Sequence, residues 1–312
     1  MIPAATLFEP LPIKAVGASL RAARFPAAPD VAARGVCVLL NGQTEFIEKY
    51  FEVIDELRER GFSVATMDWR GQGGSTRMTE DSRKSFVGDF SEYDDDLDTL
   101  LNWIVTPMLG ASEKPVALAH SMGAHVLLRR LVHKPGGFRA CVLTAPMIAI
   151  SFRGQREFLV RAVTRYHLWR GQHAGWVWGM ESRDPYKVSF AGQLVTSDPQ
   201  RFERTQSLLR ERPELRLAGA TWGWLAAALR SMDWLKDKAP SIATPLLLVG
   251  AGKDRICVTP QTRAFAARLP RADYVEIKQA EHEILMERSP LRTEFWSAFD
   301  GFMAREKHRV PD

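Results

Sequence analysis

A serine hydroxyl attacks a carbonyl only when a base takes its proton and a third group holds that base in the right tautomer. Three residues of this 312-residue chain have the types and the order for that work. Ser121 lies in Ala119-His120-Ser121-Met122-Gly123, straight after the apolar run VALA and straight before the helical pattern AHVLLRRLV. On such a strand-to-helix turn a serine is held in a tight, strained conformation, with its oxygen exposed at the carboxyl end of a sheet. The pattern is G-x-S-x-G with Ala119, the smallest possible replacement, at the first glycine. Asp254 ends the strand-like LLLVGAGKD, and His282 follows the strand-like YVEIK in a loop before the last helix. The chain order Ser, Asp, His is one in which this constellation occurs. Taken singly, Asp254 could be a loop carboxylate capping a helix, and His282 an ordinary polar loop residue. All three falling at strand ends in this order point to acyl transfer, with Ser121 as nucleophile, His282 as general base and Asp254 as its orienter. The strand-like run ending at Thr144 leads into Ala145-Pro146-Met147 and offers no competing acid.

The tetrahedral intermediate of acyl transfer also needs two N–H donors, each worth about 3–4 kcal/mol. The residue after the nucleophile, Met122, supplies one. The loop Asn41-Gly42-Gln43-Thr44 supplies the other, with Gly42 permitting the turn and Gln43 the better donor. The glycine-rich Asp68-Trp69-Arg70-Gly71-Gln72-Gly73-Gly74-Ser75 lacks Gly-Lys-Ser/Thr and no helical pattern begins at once, so it reads as a structural turn beside the site rather than a phosphate cradle. His120 and His125 flank the nucleophile and suit packing, and His133 ends a helix, where a cation is at home. His167, His173 and His308 have no acid partner in the required order.

These residues must be positioned by parallel strands. Short β-branched runs at 35–41, 63–69, 115–120, 140–145, 245–251 and 273–278 alternate with helical patterns, the signature of crossover units. ASLRAARF near residue 20 is a candidate antiparallel edge strand. Residues 46–60 place Phe46, Tyr50, Ile54 and Leu57 on one helical face, and Gly61 ends that helix. Residues 122–133 form another helix, and Thr259-Pro260 has the look of an N-cap opening a third through Ala267. From 148 to 238 the strand signal vanishes. That span is expected to be a helical cap inserted into one α/β core made of 1–147 and 239–312.

The formal charge is +5, but the inserted span alone carries 15 Lys and Arg against 9 Asp and Glu, a net +6, and six of the nine tryptophans. Within it Leu159, Val163, Tyr166 and Trp169 line one helical stripe, with Arg161 and Arg165 on another. Such a segment either forms a small core of its own or docks on an anionic membrane surface. Trp222 and Trp224 are candidates to contact substrate. The opening MIPAATLFEPLPIK lacks a charged leader and apolar run, and no stretch approaches the ~18 apolar residues that span a bilayer. A cytoplasmic protein, at most peripheral to the inner face of a membrane, is expected. Cys37, Cys141 and Cys257 have no metal-like spacing and read as buried free thiols. No metal, cofactor or nucleic-acid partner is expected.

NGQTEFIEKY at 41–50, DWRGQGGS at 68–75, AHSMGAH at 119–125, GKD at 252–254 and EH at 281–282 together resemble α/β-hydrolases of the monoacylglycerol lipase and bacterial lysophospholipase group. The resemblance spans nearly the whole chain. It implies catalytic roles for Ser121, Asp254 and His282, oxyanion donors at Gln43 and Met122, a cap that binds an acyl chain, and esters of single-chain lipids as substrates. Asn41 in place of a histidine and Ala119 in place of glycine depart from the group's pattern. The rival readings are a small-ester esterase, a thioesterase, a peptidase acting on N-terminal residues, and a non-catalytic binding protein on the same scaffold.

Overall fold

Runs of branched apolar residues bounded by turns can be buried on both faces only inside a parallel sheet covered by helices on each side. In the computed structural model, which describes residues 7–13, 17–181, 184 and 187–308, they do this. The strands are β1 (Leu7–Pro12), β2 (Ser19–Phe25), β3 (Val36–Leu40), β4 (Ser63–Met67), β6 (Val116–His120), β7 (Ala140–Thr144), β9 (Leu246–Ala251) and β10 (Ala272–Ile277). They form one eight-stranded sheet in the order β1-β2-β4-β3-β6-β7-β9-β10. β1 and β2 are antiparallel to their neighbours, and every pairing from β4 to β10 is parallel. The short β5 (Lys84–Ser85) and β8 (Gly219–Ala220) pair separately.

Side chains alternate across each strand, so Val38 and Leu40 of β3 enter one apolar layer while Cys37 and Leu39 enter the other. The first layer is closed by α2 (Ser91–Leu100), α4 (Ser121–His133), α7 (Trp222–Leu235) and α8 (Thr259–Ala266), the second by α1 (Phe51–Glu59) and α9 (Ser289–His308). All six strand runs and the edge strand agree with the sequence reading to within a residue or two, and β1 adds a second edge strand. The 46–60 run divides into a 3-10 turn at Ile47–Tyr50 and then α1, because Phe46 turns away from the sheet to pack with Leu209 and Leu215.

One helix starts differently from expectation, and another lies where none was expected. The Thr259 hydroxyl donates to the Ala251 carbonyl (2.6 Å), and Val258, not Thr259, precedes the helix. α2 runs through a π turn at Leu101–Val105 into the short α3 (Thr106–Met108), where the acidic SEYDDDLDTL hides the apolar period. Its carboxylates meet distant cations: Asp94 with Arg129, Asp98 with Arg130 and Lys134, Asp96 with Arg70.

The span 148–238 contains α5 (Glu157–Trp169), α6 (Pro199–Glu211) and α7. α5 turns Val160, Val163 and Leu168 toward the first layer and leaves Phe158, Leu159, Tyr166 and Trp169 in solvent. α6 is tied to α1 by Arg201 and Arg204, both paired with Glu52. No helix among the described residues is long and apolar enough to cross a membrane.

Candidate active site

Ser121 sits where β6 gives way to α4, with φ of +51°, a left-handed conformation that a serine adopts only under constraint. The constraint is the close passage of strand and helix. A Cβ added to Gly123 would lie 2.4 Å from the Asn41 carbonyl oxygen and 2.8 Å from that of Leu40. The Ala119 methyl, by contrast, is accommodated in the sheet with no exposure. Only the second glycine of the elbow is therefore demanded by packing.

β9, β10 and the loops after them bring the other two residues in. His282 Nε2 is 3.0 Å from Ser121 Oγ, and His282 Nδ1 is 2.7 Å from Asp254 Oδ2. A carboxylate can only accept, so Nδ1 carries the proton and Nε2 presents its lone pair to the serine hydroxyl. The other Asp254 oxygen accepts the backbone N–H groups of Ile256 and Cys257, each at 2.8 Å. Burial resists ionisation of Asp254, but His282 and these N–H groups outweigh it and hold its pKa below the ordinary value. Burial likewise opposes charge on His282, yet Asp254, Glu283 and Glu45 together raise its pKa.

The loop after β3 is clamped from two sides. Glu45 Oε2 accepts the Gly42 N–H (2.5 Å), and Gln72 Oε1 accepts the Thr44 N–H (3.3 Å) while its amide donates to the Gly42 carbonyl (2.8 Å). Of three successive N–H groups, only that of Gln43 has no acceptor among the described residues. The Met122 N–H belongs to the first turn of α4, where amides lack intrahelical acceptors. Asn41, the departure from the resembled pattern, donates to the Met67 carbonyl (3.1 Å) and accepts from Trp69 Nε1 through its own carbonyl (2.9 Å).

Sequence reasoning passed over the groups that hold this loop. Lys49 Nζ bridges Glu45 (2.7 Å) and Glu283 (2.6 Å), and Tyr50 donates to Glu45 (2.6 Å), all beneath the site. Burial favours a protonated Glu45, but Lys49, His120 and the Tyr50 hydroxyl hold it below the carboxylate range. A buried Glu-Lys pair four apart was the available signal. The glycine-rich turn owes its shape to Asp68, which accepts from Ile47 N (2.9 Å), Gly74 N (2.7 Å) and Arg21 Nε (2.7 Å).

Of the remaining histidines, His120 bonds to Thr144 and is kept neutral by burial, with its pKa near 4. His125 joins the Met147 carbonyl to Ser231, and burial lowers its pKa to about 3. His133 stacks on Trp234 and His167 on Trp222. The His308 side chain lies outside the described residues. Trp222 and Trp224 are buried, and their ring contacts run to His167, Trp178 and Phe90 rather than to the triad. The stretch from Val195 to Asp198 is what lies against the His282 loop, through the Glu283 N–H to the Val195 carbonyl (2.7 Å) and the Thr196 hydroxyl to the Met286 carbonyl (2.7 Å). All three cysteines are buried free thiols.

The profile of the Hydrolase_4 family, described as serine aminopeptidase, S33, matches residues 31–289. The chain is 30% identical over 291 residues to lysophospholipase L2 of Escherichia coli K12, covering 88% of this chain and 82% of the relative. It is 25% identical over 249 residues to a monoacylglycerol lipase of Mycolicibacterium smegmatis, covering 78% and 79%. The fold is similar to a crystal structure of Paleococcus ferrophilus monoacylglycerol lipase, with TM-score 0.69, 21% identity and coverage of 91% and 98%. A soluble variant of Saccharomyces cerevisiae monoglyceride lipase in complex with a substrate analog is similar too, with TM-score 0.74, 14% identity and coverage of 98% and 96%. With Ser121, Asp254 and His282 in one hydrogen-bonded series inside the matched span, the chain belongs to the serine aminopeptidase S33 family of the α/β-hydrolase fold.

Proposed function

We infer that this protein is a serine hydrolase that cleaves carboxylic esters of single-chain lipids, lysophospholipids or monoacylglycerols, through an acyl-Ser121 intermediate. The observation that carries the reading is the series Ser121 Oγ, His282 Nε2, His282 Nδ1, Asp254 Oδ2, with separations of 3.0 and 2.7 Å. His282 takes the serine proton as Oγ bonds to the ester carbon, and returns it to the leaving alcohol as the ester C–O bond breaks. Water, deprotonated by the same imidazole, then releases the fatty acid and restores Ser121. Asp254 stabilises the imidazolium formed in each half. The N–H groups of Gln43 and Met122 stabilise the oxyanion. Loss of one such donor costs roughly 10²–10³ in turnover.

The single-chain lipid class is supported by the names of the relatives. An N-terminal peptidase would need a free carboxylate for the substrate's ammonium group. Glu45 and Glu283, two carboxylates that act on His282, are instead engaged with Lys49.

The cap reading for 148–238 includes peripheral contact with anionic membrane. Phe158, Leu159, Tyr166, Trp169 and Trp178 are 51–79% exposed, against the usual burial of such side chains. Arg165 is exposed beside them, whereas Arg161 is tied to Glu157 and Asp233, so Arg165 rather than Arg161 is a cation available to lipid. Fluorophosphonate labelling, followed by a hydrolysis profile over lysophospholipids, monoacylglycerols and short p-nitrophenyl esters, tests the reading. A folded chain that does not label is a binding protein, and a preference for short esters over lipids removes the substrate class.

A further inference from the structure

Beside the triad lies one buried side chain that ester hydrolysis does not use. Cys257 is 2% exposed, and its backbone N–H is held by Asp254 Oδ1. Its Sγ, a carboxylate oxygen of Asp254 and a ring nitrogen of His282 all lie within 4.8 Å of one another, the one such group among the described residues. We propose that Asp254, Cys257 and His282 form a binding site for a borderline-soft divalent cation, zinc foremost, and that its occupancy holds the hydrolase off.

The donor set decides the kind of ion. Sulfur, imidazole nitrogen and one carboxylate oxygen suit zinc, cadmium or copper, whereas magnesium and calcium take shells of oxygen. Zinc bonds of about 2.0–2.3 Å place tetrahedral ligand atoms about 3.3–3.6 Å apart. The three atoms, none more than 4.8 Å from another, reach that spacing by side-chain torsions. Charge balances as well: a thiolate and a carboxylate offset the dication, so a buried site takes on no net charge, the condition under which a buried ion is tolerated. Binding releases the Cys257 thiol proton to solvent and changes no oxidation state. Three protein ligands leave a fourth position for Ser121 Oγ or water.

Inhibition follows from either histidine nitrogen. A metal on Nε2 occupies the lone pair meant for the serine proton. A metal on Nδ1 shifts that proton to Nε2, which then cannot take the serine proton, and breaks the bond to Asp254. This part rests on the hydrolase reading above, whereas the binding itself does not.

The test is a titration of the full chain with cadmium, read by thiolate-to-metal absorption in the ultraviolet. One saturable cadmium per chain is expected, with the signal lost in Cys257→Ser, weakened at least about tenfold in Asp254→Asn, and kept in Ser121→Ala, which retains all three ligands. In parallel, zinc should inhibit p-nitrophenyl ester hydrolysis reversibly to EDTA. Cys257→Ser should need at least about tenfold more zinc for the same fractional loss of its own metal-free rate. An undiminished signal in Cys257→Ser would trace it to Cys37 or Cys141 and overturn the proposal, as would equal zinc sensitivity of the two proteins or no signal at millimolar cadmium. Should Cys257→Ser not fold, full-strength binding by Asp254→Asn overturns the site instead. A Cys257-dependent signal in a chain without esterase activity would refute the hydrolase reading and leave the metal site standing.

Discussion

Gly123→Ala tests the idea that the elbow is shaped by backbone packing. The added Cβ would stand 2.4 Å from the Asn41 carbonyl oxygen, where an ordinary C···O contact is about 3.3 Å. One side must retreat by about 0.9 Å, and Leu40 O, at 2.8 Å, must also give. All of these are main-chain atoms of β3 and the loop after it, so no rotamer change relieves the clash. Overpacking of this kind costs about 1–3 kcal/mol, which lowers the melting temperature of a chain this size by roughly 2–10 °C. The same displacement carries the Gln43 N–H away from the oxyanion. A misplacement of about 1 Å costs on the order of 10²-fold in turnover. Ala119→Gly is the control: it removes a methyl without a clash, costs roughly 0.5–1 kcal/mol and leaves turnover within about threefold. Calorimetry and single-turnover acylation by p-nitrophenyl acetate read the two effects. Gly123→Ala with unchanged melting and acylation, or equal losses in both variants, would refute the reasoning.

Ser121→Ala and His282→Ala should each cut turnover by several orders of magnitude and add little when combined, since triad members act as a unit; multiplicative losses would break the triad. Asp254→Asn should cost about 10⁴ by stabilising the wrong imidazole tautomer, and a mild loss would place the acid elsewhere. Because the base must be neutral and its pKa is raised, kcat/KM should climb with pH along a limb lying above the ordinary imidazole value of about 6.5. Glu45→Gln removes one of the charges that raise it and should shift that limb to lower pH; an unmoved limb would discount Glu45. Membrane contact predicts that sedimentation with liposomes requires anionic lipid, weakens with salt, and falls in Trp169→Ser and Arg165→Glu. Equal binding to neutral vesicles would remove it.

The meeting of Ser121, Asp254 and His282 was legible because each follows an apolar strand run that must be buried, and the parallel sheet brings all their carboxyl ends to one edge. Local pattern and chain order sufficed for Ser121, Asp254 and His282, and for the six strands behind them. The amphipathic division of α5 was legible only in part: Leu159, Tyr166 and Trp169 do share a face, but Val163 belongs to the buried one. Trp222 and Trp224 were singled out by composition, and composition does not reveal which way a helix turns its aromatic residues.

What the tertiary structure alone decided lies between residues far apart in the chain. Gln72 and Glu45 clamp the loop that presents Gln43, Lys49 joins Glu45 to Glu283, and Cys257 Sγ comes within 4.8 Å of Asp254 and His282. Apolar periodicity reports which residues leave water, because burial acts on every residue of a face alike. Hydrogen bonds and buried ion pairs depend on direction and on partners within about 3 Å, and those distances exist only once the sheet has assembled.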